Sequence, residues 1–173
     1  RVSVVGIVNA DQLMNMPDFR AHERAFQMLS QVAGRAGRRD KQGTVIMQTR
    51  QPDHPLTHQI QVGDYLGMFD EQVQERQLFR YPPFYRLVYV YLKHRKEDVL
   101  NAATELMANQ LRAGLGNRVL GPDKPPVGRI QTLFITKMII KVEQNDSMAK
   151  IRDYLQAVQR AVVADERFRS LIV

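Results

Sequence analysis

The sequence predicts an α/β chain in two compact parts: the closing portion of a parallel α/β layer, then a small α+β domain. Three observations carry this. A nearly continuous β-branched run, Val2, Val4, Val5, Ile7 and Val8, has the pattern of a strand buried on both faces. A helical stripe and a second β-rich run follow it. Tyr81-Pro82-Pro83-Phe84 then stops regular structure, because each proline lacks an amide donor and pushes its predecessor out of the α region. After that break the order strand, helix, strand, helix, strand fits into about 90 residues, which is domain size.

The elements follow in order. Residues 2–8 are the first strand, and 9–18 a loop. From Phe19, apolar residues at Ala25, Phe26, Leu29, Val32, Ala33 and Ala36 recur at helical spacing, so a helix is expected to end near Gly34 to Gly37. Thr44 to Thr49 is β-rich. Pro55 suits a first helical turn, and Leu66, Phe69, Val73 and Leu78 mark a second helix, giving one short and one longer helix before Phe79. Leu87 to Leu92 is a strand; Val99, Ala103, Leu106, Met107 and Leu111 form a helix face ended by Gly114 and Gly116. Pro122 to Gly128 is read as a loop and Leu133 to Val142 as a strand. Ser147 is an N-cap before Ile151, Leu155, Val158 and Val162, and Phe168 to Val173 is a final strand. The expected domains are 1–50, a helical connector over 51–84, and an α+β domain over 85–173.

Composition excludes several functions. The 173 residues are 44% hydrophobic and 25% charged, which argues for packed cores rather than disorder. Without any Cys they hold no disulfide, thiolate metal site or thiol nucleophile. No apolar run approaches the length of a membrane span. The opening on Arg1 and the apolar close at Val173 are read as cut ends. The net charge of +7 points to a polyanionic partner. Between Asp18 and Arg50 seven basic residues (Arg20, Arg24, Arg35, Arg38, Arg39, Lys41, Arg50) meet three acidic ones, so most of the surplus sits around one helix end. Nearly all are Arg, whose planar fork pairs bidentately with phosphate, and Gly34 and Gly37 beside them let backbone approach a ligand.

Gln31-Val32-Ala33-Gly34-Arg35-Ala36-Gly37-Arg38 resembles the arginine-finger motif of superfamily 2 helicases. Asp11, Pro17-Asp18-Phe19-Arg20-Ala21, Glu23-Arg24, Phe26-Gln27, Tyr81-Pro82-Pro83-Phe84, Arg86-Leu87 and Leu120-Gly121-Pro122 narrow this. Together they are similar to the PriA (primosomal protein N′) family of bacterial replication-restart DNA helicases, over nearly the whole chain and in its C-terminal part.

The resemblance implies that residues 1–50 close a RecA-like helicase lobe. It assigns Arg38, as the finger, and Arg35 to the terminal phosphate of a nucleotide, with Gln31, Gly34 and Gly37 beside them. Phosphoryl transfer spreads negative charge over the equatorial oxygens, which a rigid guanidinium stabilises. ATP and Mg²⁺ would be bound mainly by a lobe outside these residues, since no G-x-x-x-x-G-K-[ST] loop is present. Zinc would be held by Cys clusters that also lie outside them. The implied partners are forked or single-stranded DNA, single-stranded-DNA-binding protein and primosome proteins. The implied state is a monomer in the bacterial cytoplasm.

Other residues keep two readings. Asp11 follows the first strand, where α/β folds place ligand residues, but it also suits a helix cap. Arg20 and Arg24 form either a solvated helix face or DNA-backbone contacts, and Arg39 joins the second reading. Lys124, Arg129 and Lys137 bracket the Pro/Gly loop and its strand, solvated or touching DNA. Tyr81, Phe84, Tyr85, Tyr89 and Tyr91 pack on strand faces or stack bases. Lys150 and Arg152 open the last helix and suit an acidic peptide tail. His54 and His58 lack a clear third ligand, and Asp70-Glu71 sits in a helical segment, so no metal site is expected. The alternatives to the motor are another superfamily 2 helicase or translocase, or a non-catalytic module gripping the phosphate backbone.

Overall fold

The computed structural model describes residues 4–36 and 43–173. These form two compact units that meet in sequence between Phe79 and Arg80.

In the first unit, β1 (Val4–Ile7) pairs in parallel with β2 (Thr44–Met47), Val4 opposite Thr44 and Ile7 opposite Met47. The crossover that a parallel pair requires runs through α1 (Asp11–Met14) and α2 (Ala21–Ala33). Helix α1 falls in the stretch expected to be loop; four residues are too short to show a helical period, yet they place Met14 at 2% exposure in the core. Helix α2 buries Ala21, Ala25, Phe26 and Leu29. Two further helices, α3 (Pro55–Val62) and α4 (Tyr65–Leu78), bring Leu56, Ile60 and Met68 into the same core. Pro55 stands in the first turn as its fixed φ favours, His54 Nδ1 accepts from Leu56 N, and Asp64 caps α4 through Gly67 N. The first strand is not buried on both faces: Val4 and Val8 are 55% and 79% exposed. Among the described residues its sheet has two strands, and Ile7, itself only half-buried, is the residue of β1 that packs against the core.

The second unit is a small α+β domain. Strands β3 (Tyr85–His94), β4 (Val119–Asp123), β5 (Arg129–Ile130) and β6 (Leu133–Glu143) form an antiparallel sheet in which β6 pairs with the other three. Helices α5 (Glu97–Leu115) and α6 (Met148–Val163) supply the rest of its core. Alternation decides which face they cover: Val90, Leu92, Met138, Ile140 and Val142 turn inward to meet Leu100, Met107, Leu111, Ile151, Val158 and Val162. Each of these fully buried side chains contributes about 1.5–3 kcal/mol. Helix α5 carries Glu97 and Asp98 in its first turn and Arg112 in its last, as the macrodipole prefers, and Ser147 caps α6 through Lys150 N.

Three boundaries differ from expectation. Helix α5 passes through Gly114, where the Tyr154 ring occupies the space a Cβ would need while its hydroxyl donates to Gln110 O at 2.6 Å. Gly114→Ala is therefore expected to cost about 1–3 kcal/mol, read as a lower urea midpoint, because the ring must leave its hydrogen bond; an unchanged midpoint would show that the contact yields freely. Pro122 lies in β4 rather than in a loop. That strand is at the sheet's edge, where a missing amide is tolerated, and Gly121 at φ +90° carries the register shift between Leu120 and Asp123. Residues 168–173 form no strand: a 3₁₀ turn at Glu166–Phe168 buries Phe168, and Ile172 makes a single antiparallel bridge to Lys93. His94 secures this tail. Its Nδ1 lies 3.0 Å from Lys96 N and 3.1 Å from Lys96 O, and its Nε2 is hydrogen-bonded with Ser170 Oγ at 2.8 Å.

Candidate functional site

The candidate nucleotide and DNA residues of the first unit lie along α2 and at the C-terminal ends of β1 and β2. Because α2 turns one stripe inward, Arg20, Arg24, Gln27, Gln31 and Arg35 fall at spacings of three and four on its exposed side. At ~1.5 Å per residue, Arg20 and Arg35 stand ~22 Å apart along the axis, so they cannot hold one phosphate between them. The two ends also differ in how their charges are engaged.

At the start, Arg24 donates to Asp18 at 2.9 Å, with the arginine side chain 49% exposed. Arg20 lies over the Phe19 ring at 5.0 Å, and Arg76 of α4 lies over it at 5.2 Å while pairing with Glu23 at 2.6 Å. At the far end, Gln31 and Arg35 are exposed and form no ion pair among the described residues. Gly34 closes α2 at φ −65°, a right-handed geometry open to any residue, and a Cβ there would meet Ser30 O at 3.4 Å, an ordinary contact. The helix end therefore does not itself require glycine. Gly37, Arg38 and Arg39 lie outside the described residues.

Asp11 opens α1. Its Oδ1 accepts from Thr49 Oγ1 at 2.7 Å and its Oδ2 from Arg50 N at 2.9 Å, joining the segment after β1 to the segment after β2. The Thr49 hydroxyl and then the Arg50 amide hold the Asp11 carboxyl below its ordinary value. The sign follows. A depressed carboxylate contributes stability above the unfolded value of 3.8 and loses it as pH falls through the folded one. Asp11→Asn is expected to lower the melting temperature at neutral pH, with the gap to the parent chain closing below about pH 3.8; a gap independent of pH would exclude the latch.

In the second unit, Lys124 Nζ meets Glu97 at 2.6 Å with its side chain 70% exposed, and Arg129 lies over the Phe134 ring at 4.8 Å. Both line a cleft of about 290 Å³ with Leu100 and Thr136. His54 serves as the cap of α3 and meets the His22 ring edge-on, and Glu71 accepts from Gln59. Among the described residues no cluster of three His, Asp or Glu side chains is placed to hold a metal. No helix there is long and apolar enough to cross a membrane.

Sequence reasoning missed one feature and left another open. Arg86 and Arg118 converge on the turn after β6: Arg86 Nη2 donates to the carbonyls of Glu143, Gln144 and Asp146, and Arg118 pairs with Glu143 and Asp146. Arginines 32 residues apart, the first of them up to 60 residues from the turn it meets, give no local signal of such convergence. Tyr89 and Tyr91, in contrast, stand outward on β3, which their odd positions in an alternating strand could have shown.

Comparison with known proteins adds the family. The model described as "Primosomal protein N C-terminal domain" matches residues 77–172. The chain is 36% identical over 166 residues to "Replication restart protein PriA" of Bacillus subtilis (strain 168), covering 93% of this chain and 20% of that protein. With the proteins of the same name from Treponema pallidum (strain Nichols) and Haemophilus influenzae (strain ATCC 51907 / DSM 11121 / KW20 / Rd), identity is 37% and 33%. The matches cover 80% and 90% of this chain, and 21% and 22% of those proteins. The chain thus spans about a fifth of the length of the curated relatives it matches. It belongs to the family of the replication restart protein PriA and contains that family's C-terminal domain.

Proposed function

We propose that this chain is the C-terminal part of an ATP-dependent 3′ to 5′ DNA helicase that recognises stalled or branched replication forks and restarts replication by assembling a primosome. The observation that carries this reading is the far end of α2, where Gln31, Gly34 and Arg35 lead out of an ordered helix, exposed, in the sequence of an arginine-finger motif. Family membership supports it.

In this reading residues 1–50 close a RecA-like second lobe, 51–84 are a helical connector whose helices pack into the first unit's core, and 85–173 form the C-terminal domain. Arg38 and Arg35 meet the terminal phosphate of ATP, whose Mg²⁺ and remaining contacts come mainly from the other lobe. Gln31 is a polar neighbour, and Gly34 and Gly37 keep backbone bulk away from the phosphates. Asp11 fastens the two strand ends that face the same cleft. Arg20, Arg24 and Arg39 contact the DNA backbone, with Lys124 and Arg129 adding contacts from the C-terminal domain. Single-stranded-DNA-binding protein and primosome proteins are partners, zinc is held elsewhere in the intact protein, and the motor works as a cytoplasmic monomer.

The test is ATP hydrolysis by the intact protein with and without forked DNA. DNA-stimulated turnover together with 3′ to 5′ unwinding is the expected result. Fork binding without turnover would instead make the arginine cluster a phosphate-backbone grip.

A further inference from the structure

The face of the second unit's sheet turned away from α5 and α6 carries side chains that the core does not use. Tyr89 and Tyr91 are 44% and 42% exposed on β3, their rings tilted by only 24° and centred 6.4 Å apart. Across the strand pair, Lys137 stands opposite Tyr91 and places its Nζ 5.7 Å from the centre of the Tyr89 ring. Leu120, 41% exposed, extends the apolar floor opposite Ile139. Lys93 belongs to the same row of β3 as the two tyrosines. Lys141 is drawn in over the Tyr81 ring at 3.9 Å.

We propose that this face is a stacking platform for an unpaired nucleic-acid strand, with Tyr89 and Tyr91 receiving bases and Lys137 meeting the phosphate between them. The occupant follows from the chemistry. Flat rings beside ammonium groups match a strand that offers π faces and phosphates together, in a chain whose net charge is +7. A duplex keeps its base faces inside its own stack, so it can use the lysines and not the rings. The rings are centred 6.4 Å apart, so neighbouring nucleotides of one extended strand can reach both. An acidic peptide would engage Lys93 and Lys137 and leave the tyrosines without a role. The inference rests on the DNA part of the proposed function and is independent of ATP turnover.

The experiment titrates a short fluorescein-labelled oligothymidylate, and a duplex of equal length, with the chain at low salt. Tyr89→Ala and Tyr91→Ala are each expected to weaken single-strand binding about 5- to 150-fold. Tyr89→Phe and Tyr91→Phe should stay near the parent value, and duplex binding should change little in all four. Tyr89→Leu and Tyr91→Leu keep apolar volume without a π face; they should match the alanine variants and serve if those fail to fold. Lys137→Ala should shallow the salt dependence by about 0.7 in log–log slope. The sequence has no Trp, so quenching of tyrosine emission on adding oligothymidylate reports the stacking directly. Unchanged single-strand affinity in the leucine variants, or equal weakening of strand and duplex, would overturn the proposal. So would no binding by the parent chain, or a dimer dissolved by these variants while strand binding persists, which would make the face a contact between copies. Failure of the intact protein to turn over ATP leaves this outcome untouched and would count only against the motor.

Discussion

Arg38→Ala in the intact protein is expected to remove DNA-stimulated ATP turnover, by about 10³- to 10⁵-fold, while fork binding stays within a few-fold of the parent. The asymmetry follows from where charge develops. On the proposed reading a metal and a loop of the other lobe would already neutralise the terminal phosphate in the ground state, so one guanidinium would add little to binding. In the transition state of phosphoryl transfer charge spreads to the equatorial oxygens, and a planar donor carried in from the second lobe would meet it without reorganisation. Arg38→Lys should fare no better, because a point charge cannot span two oxygens. Arg20→Ala and Arg24→Ala act as contrasts. They stand at the opposite end of α2, ~16–22 Å from Arg35 by helix rise, and are expected to shallow the salt dependence of DNA binding while sparing turnover at saturating DNA. Full turnover in Arg38→Ala would remove the finger from the mechanism.

The separation of these two effects was legible before any coordinates, because α2 is amphipathic. Phe26 and Leu29 had to turn inward, and Arg24, Gln27 and Gln31 had to turn out. The strands and helices of the second unit were legible for the same reason: alternation along β3 and β6, and a three-to-four spacing along α5 and α6. Periodicity fails where an element is too short or where its partner is distant in sequence. One turn at Asp11–Met14 has no period, and the edge strand Val119–Asp123 is stabilised by pairing with β6 despite a proline that argues against it. An apolar tail at Phe168 to Val173 meets the burial requirement of a strand without the ladder: Phe168 and Leu171 fill the core, and a single bridge at Lys93 supplies the sheet contact. The Asp11 latch lay between these limits. Its position after a strand was visible, but its partners Thr49 and Arg50 are 38 and 39 residues away and became evident only when β1 and β2 paired.

Arg86→Met is expected to destabilise the second unit by on the order of 3 kcal/mol. One guanidinium nitrogen shares its two N–H groups among three carbonyls, at 2.8 Å to Glu143, 3.0 Å to Gln144 and 2.5 Å to Asp146, and so closes the turn that delivers β6 into α6. Removing it leaves acceptors in a partly buried turn, each costing about 1–3 kcal/mol where water cannot replace the donor. Methionine keeps much of the apolar stem, so the loss reports the hydrogen bonds rather than a cavity. Arg118 supplies the comparison. It reaches the same turn through Glu143 and Asp146 at 3.1 and 2.6 Å, but these pairs sit at side-chain exposures of 30–40%, where an ion pair is worth about 0–1 kcal/mol. Arg118→Met should therefore shift the urea midpoint only slightly, and Arg86→Met several times more at an unchanged slope. Hydrogen exchange should localise the difference, with amides at the start of α6 losing protection in the Arg86 variant and keeping it in the Arg118 variant. Equal shifts in the two variants would mean that the turn is held by charge at the surface, and the converging carbonyls would lose their part in the fold.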